Sequence, residues 1–120
     1  MPTDPRSLLP LRPVDFILLL ALVEEEQHGY GLAQHIAEST DGLVRLEPGN
    51  LYRVIKRLAD DGLIAPSGRR PAADRDDERR RYYKITAAGQ RVAAMEAQRL
   101  RTVLASAPVK ALKPVVGPAL

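Results

Sequence analysis

The residues of this 120-residue chain that could do chemistry fall into a poor set and a richer one. The poor set is catalytic. There is no cysteine, which excludes thiolate nucleophiles, thiolate metal sites and disulfides. His28 and His35 stand about two helical turns apart, ~10 Å along a helix, too far to share a metal ion directly. Glu24, Glu25 and Glu26 are adjacent, so they point in different directions around a helix end and make no acid–base pair. No phosphate-cradling glycine loop or nucleophile motif occurs. The expectation is a protein that is not an enzyme and that uses no metal and no cofactor.

The richer set could bind a polyanion. Between residues 45 and 84 there are eleven basic and seven acidic side chains, a net of +4, whereas the whole chain carries only +3. The positive bias is therefore concentrated in one central region, as a nucleic-acid footprint requires. Within it, Asn50, Arg53, Lys56 and Arg57 recur at helical spacing, opposite Leu51, Ile55 and Leu58. An amide can read adenine through two hydrogen bonds, a guanidinium can read guanine, and Lys or Arg can hold phosphate. A second group, Arg69, Arg70, Arg75, Arg79, Arg80 and Arg81, shares a loop with Asp74, Asp76, Asp77 and Glu78. An arginine-rich hairpin suits a phosphate backbone or a narrow minor groove, although the acids could pair with the arginines instead. Arg79, Arg80 and Arg81, nearest the following strand, are the expected contacts; Tyr82 and Tyr83 are expected to serve strand pairing rather than base stacking.

Elements must hold these side chains in place. Residues 1–13, with four prolines, read as an extended arm or cap, and Pro13 suits the first turn of a helix. Residues 14–23 form an almost wholly apolar run that predicts a helix covered from two sides, one cover being a second subunit; a strand or a simple core helix is the alternative. A second helix follows His28, Gly29, Tyr30 and Gly31 and stops at Thr40, Asp41 and Gly42. Pro48 opens a third, and Gly62 supplies its left-handed cap. A brief strand at 63–65, the charged loop, and a returning strand at 81–85 make a two-stranded wing. Thr86 caps a last helix running to about Leu104, and residues 107–120, with three prolines, read as a loose tail.

The predicted order is helix, helix, helix, strand, loop, strand, helix. That is a mainly α, α+β winged helix-turn-helix, with an arm at 1–13, a DNA-binding domain at 14–86, a dimerisation helix at 87–106 and a tail at 107–120. Apolar residues at 45% are ordinary for a globular domain, and with one Phe, four Tyr and no Trp the core must be aliphatic. So small a core would gain from an apolar surface shared with a second subunit; Phe16, Leu20, Val92, Met95, Leu100 and Val103 are the candidates. The longest apolar run is far short of a bilayer span and the N-terminus is unlike a signal peptide, so no membrane association and a cytoplasmic location are expected.

Four motifs in order, His28-Gly29-Tyr30-Gly31-Leu32, Pro48-Gly49 with Leu51-Tyr52, Leu58 with Gly62-Leu63-Ile64, and Arg81-Tyr82-Tyr83 with Ile85-Thr86 and Gly89, resemble the PadR-like transcriptional regulators. The resemblance spans about residues 14–104 and is to the short subgroup with a single C-terminal helix. It implies a homodimer binding double-stranded DNA, with the first and last helices forming much of the subunit interface. It also implies repression of nearby genes and DNA reading from Asn50, Tyr52, Arg53 and Lys56. A small hydrophobic effector at the interface is a further implication. Glu47 departs from the family, which commonly has a small hydroxyl residue capping the third helix; a carboxylate caps less neatly and repels phosphate. The absence of Trp removes the aromatic stack that some drug-binding relatives use between subunits. The alternative function is a winged-helix module that binds protein rather than DNA.

Overall fold

A computed structural model describes residues 4–68 and 81–115. A short 3-10 turn, Pro5–Leu8, precedes α1 (Pro13–Glu24), β1 (Gln27–His28), α2 (Gly29–Ser39), α3 (Pro48–Asp60), β2 (Ile64–Pro66), β3 (Tyr82–Ile85), α4 (Ala87–Leu104) and a final turn α5 (Ala107–Lys110). Helix, not strand, is the outcome for the apolar run, with Pro13 in its first turn. Leu18, Leu19, Ala21 and Leu22 of α1 are buried, while Leu20 and Val23 remain 43% and 52% exposed. The helix is thus packed on one side and bare on the other within this chain.

The sheet is three-stranded in the order β1-β3-β2, all antiparallel. The expected two-stranded wing is present, with Ile64 opposite Ile85 and Pro66 opposite Tyr83. The third strand was not expected: Gln27 and His28 pair with Tyr83 and Tyr82 on the far edge of β3. Two residues carry no periodicity, so the sequence shows only a break there. Gln27 is buried, and its side-chain amide donates to the Ala21 carbonyl at 3.2 Å, which ties the strand to the last turns of α1.

Turn chemistry joins the wing to the helices. After α3, Gly62 takes φ +77° and the Gly62 and Leu63 N–H groups donate back to the Ala59 and Leu58 carbonyls at 3.0 and 2.9 Å. That is a Schellman closure, and Leu58 and Leu63 are both buried beneath it. Thr86 then docks α4 onto this turn. Its N–H donates to the Leu63 carbonyl, its hydroxyl donates to the Gly62 carbonyl at 2.6 Å, and the same hydroxyl accepts the Gly89 N–H at 3.0 Å. A methyl group at Gly89 would lie 2.1 Å from the Leu63 carbonyl oxygen, so only glycine permits this approach.

The core is aliphatic and draws on every helix from α1 to α4, through residues such as Leu19, Ile36, Leu58 and Val92. Each such side chain, fully buried, contributes on the order of 1.5–3 kcal/mol. One expectation changes here. Val92, a candidate for the subunit interface, is 1% exposed and belongs to the core, because α4 turns that face toward α1. In the N-terminal segment, Leu8 and Leu9 pack on the core and Leu11 is buried, close to Glu96 of α4. Glu96 is itself buried and is held by both arms of the Arg99 guanidinium at 2.7 and 2.8 Å. The segment after α4 begins with the short turn α5 rather than irregular chain.

Candidate nucleic-acid interface

Helix α3 separates its two faces cleanly. Leu51, Val54, Ile55 and Leu58 are buried, and Asn50, Arg53 and Lys56 are exposed. Pro48 fills the first helical position, where its missing N–H is no loss. Glu47 occupies the N-cap, and its side chain makes no capping hydrogen bond. The first-turn N–H groups at Gly49 and Asn50 therefore lack a side-chain acceptor and carry the positive end of the helix dipole. Gly49 has nothing among the described residues within 4 Å of where a Cβ would stand, so their packing does not require glycine there. An open, uncapped, slim helix start can admit a phosphate between exposed side chains.

The expected contacts are not equivalent in place. Lys56 donates to Asp60 at 2.8 Å one turn along the helix, a contact that raises its pKa and keeps it protonated. Both side chains are well exposed, and such pairs are weak enough to open for a competing phosphate. Tyr52 is half-buried: its ring lies over Gly29, where a Cβ would come within 2.9 Å of the hydroxyl, so this tyrosine also sets the packing of α3 on α2. Arg81 is exposed where β3 begins, and Arg79 and Arg80 lie outside the described residues. Tyr83 is buried against the core, and that burial raises its phenol pKa; Tyr82 meets His28 edge to face at 5.3 Å. Both tyrosines thus serve packing. Lys84 points outward from β3 beside them.

Arg57 stands apart from the other residues of its stripe. Its spacing puts it on the stripe of Asn50 and Arg53, yet its guanidinium is engaged by Asp15 of α1 in a two-pronged pair, at 2.6 and 3.3 Å. Periodicity gives a direction around a helix, not what stands beside it, and at this end of α3 the neighbour is the first turn of α1. The missed partner had a signal: Asp15 is an acid inside an otherwise apolar helix, and it is only 5% exposed. A buried carboxylate needs a cation. Arg45 lies exposed just before α3, with its guanidinium folded over Gly42.

Of the other interface candidates, Phe16, Met95 and Leu100 are half-buried, and Val103 is 46% exposed. Leu104 beside it is 62% exposed. Among the described residues no group of three metal-ligating side chains occurs, and no helix is long and apolar enough to cross a membrane.

With this geometry in place, comparison with known proteins decides the family. The profile of the transcriptional regulator PadR-like family matches residues 18–95. The chain belongs to the PadR-like family. The matched segment runs from α1 through the wing and into α4, so it contains α3 and the hairpin that flank the proposed interface. A solved transcriptional regulator from Clostridium thermocellum is 25% identical, with a TM-score of 0.63, over 82% of this chain and 88% of that one. A PadR family transcription regulator from Clostridium difficile shares the fold, at 23% identity and a TM-score of 0.64, over 75% of this chain and 88% of that one. An uncharacterised protein of Lysinibacillus sphaericus is 29% identical over 77 residues, 64% of this chain and 68% of its own length. As a PadR-like protein with a winged helix-turn-helix, the chain is a DNA-binding transcriptional regulator.

Proposed function

We propose that this PadR-like chain is a cytoplasmic homodimeric repressor that reads a pseudo-palindromic operator. Asn50 and Arg53 contact base edges from α3; Tyr52 and Lys56 contact the backbone beside them; Arg79, Arg80 and Arg81 contact phosphate from the wing. The observation that carries this reading is the partition of α3, with Leu51, Ile55 and Leu58 inward and Asn50, Arg53 and Lys56 outward. In the dimer, Phe16 and Leu20 of α1 and Met95, Leu100 and Val103 of α4 meet their copies, which would cover the apolar surface that Leu20, Val23 and Leu104 leave bare. Two α3 helices then enter successive major grooves ~34 Å apart. A small hydrophobic effector, bound between the α1 and α4 pairs, would release DNA by favouring a dimer with mismatched α3 spacing.

Selection from a random duplex library, followed by titration of the enriched site, tests the assignment. Arg53→Ala is expected to lose about 1–3 kcal/mol of discrimination between enriched and random duplex. Arg80→Ala is expected to weaken both duplexes alike and to lower the salt slope by about one. Parent-like behaviour of both variants would reject these residue roles.

A further inference from the structure

The Asp15–Arg57 pair is a long-range polar tie between two elements with little other common surface. α1 packs mainly on α2, α4 and β3, whereas α3 packs mainly on α2 and β2. Near the pair the packing is open: a cleft of about 200 Å³ runs between the N-terminal arm and the end of α3, lined by Ser7, Leu8, Pro10, Asp15, Arg57 and Leu58 among others. The Schellman turn seats the end of α3 against α4; what ties it to α1 on this side is a carboxylate gripped by both prongs of a guanidinium. A paired fork of this kind fixes orientation as well as distance. Asp15 sits in the first turn of α1, the helix whose Leu20 and Val23 are left uncovered by this chain. Arg57 lies two turns along α3 from Asn50.

We propose that Asp15 and Arg57 are positioning residues for operator spacing: the pair holds the rotation of α3 relative to α1, and so transmits the geometry of the subunit pair to the DNA-reading end of α3. Arg57 acts through Asp15 and does not touch DNA. The proposal rests on the regulator reading above. A change of one base pair between half-sites moves one of them by ~3.4 Å and turns it by about 35°, so a rigid dimer discriminates sharply between spacings. A dimer whose α3 helices swivel does not.

The test uses the full chain and the duplex enriched by the parent, together with versions lengthened and shortened by one base pair at the centre. Removing one partner alone strands a charge and can unfold the protein, so the informative variant is D15L/R57M. Replacing such a pair by apolar residues of similar bulk commonly preserves or raises stability. The parent is expected to bind the altered spacings at least about tenfold more weakly than its own site, and D15L/R57M to bind all three within about threefold, at an unchanged thermal midpoint and dimer mass. The salt slope on the parent's own site is expected to match in the two proteins. Retention of the parent's spacing preference by D15L/R57M overturns the proposal. So does a salt slope lower by about one, which marks Arg57 as a phosphate contact. A parent that enriches no sequence removes the regulator reading itself, and the proposal with it.

Discussion

The two ends of α3 differ in almost everything except their sequence pattern. At the start, Pro48, Gly49 and Asn50 are exposed, the N-cap side chain is idle, and nothing among the described residues presses on Gly49. At the finish, Gly62 closes a Schellman turn, Thr86 and Gly89 clamp α4 onto it, and Arg57 is gripped by Asp15. One helix is thus anchored at its C-terminal end and open at its N-terminal end. Side chains that must meet an external partner with fixed geometry gain from that arrangement, because the scaffold absorbs the strain at the other end.

The contrast can be broken at the anchored end first. Gly89→Ala places a methyl group against the backbone carbonyl of Leu63, which cannot move aside as a side chain could. The expected loss is at or beyond the top of the ~1–3 kcal/mol range for overpacked cores, read as a lower urea midpoint. An Ala variant with the parent's midpoint would show that α4 is not seated on the α3 turn.

Glu96 gives a smaller effect with a pH signature. Its carboxyl titrates below the ordinary value of 4.5, chiefly because Arg99 hydrogen bonds to the ionised form, with the Leu11 N–H adding to this and burial opposing it. A depressed folded pKa means stability that is complete above about pH 5 and is lost as pH falls through the folded value. The parent's thermal midpoint should therefore drop as pH falls below the ordinary carboxyl value, and Glu96→Gln should lack that part of the drop while starting lower at pH 7. Parallel pH profiles would mean that Arg99 does not hold this carboxylate ionised in the folded chain.

The open end sharpens the comparison with the smallest change in stability. Gly49→Ala meets empty space and adds helix propensity, so the stability should stay or rise by up to about 1 kcal/mol, read from the urea midpoint. DNA affinity should nevertheless fall several-fold, since the added methyl stands where backbone and phosphate must approach. A stabilised variant with full affinity would place the duplex elsewhere.

Much of this was legible in the sequence, for identifiable reasons. Leu51, Ile55 and Leu58 repeat at helical spacing, Pro48 and Gly62 punctuate α3, and Thr86 with Gly89 opens α4; each is a local rule that the tertiary fold does not overturn. What escaped was non-local. Val92 and Val103 lie on one apolar stripe of α4, but the first meets α1 in its own chain and the second meets solvent, and only the packing of α1 tells them apart. The seating of the arm against α4 is not readable because Leu11 and Glu96 lie some eighty residues apart in the chain. Arg57 looked like its neighbours because Asp15 lies 42 positions earlier in the chain. The strand at Gln27 and His28 exists only because β3 offers an edge.

The central claim, that the start of α3 is the surface meeting DNA, is tested most directly by following backbone amide resonances during titration with the enriched duplex. The largest shifts are expected at Gly49, Asn50, Arg53 and Lys56 and in the wing around Arg81, with residues 57–63 and α4 beyond Leu100 little changed. Shifts centred on α4, with those of Asn50 and Arg53 unmoved at saturation, would contradict it.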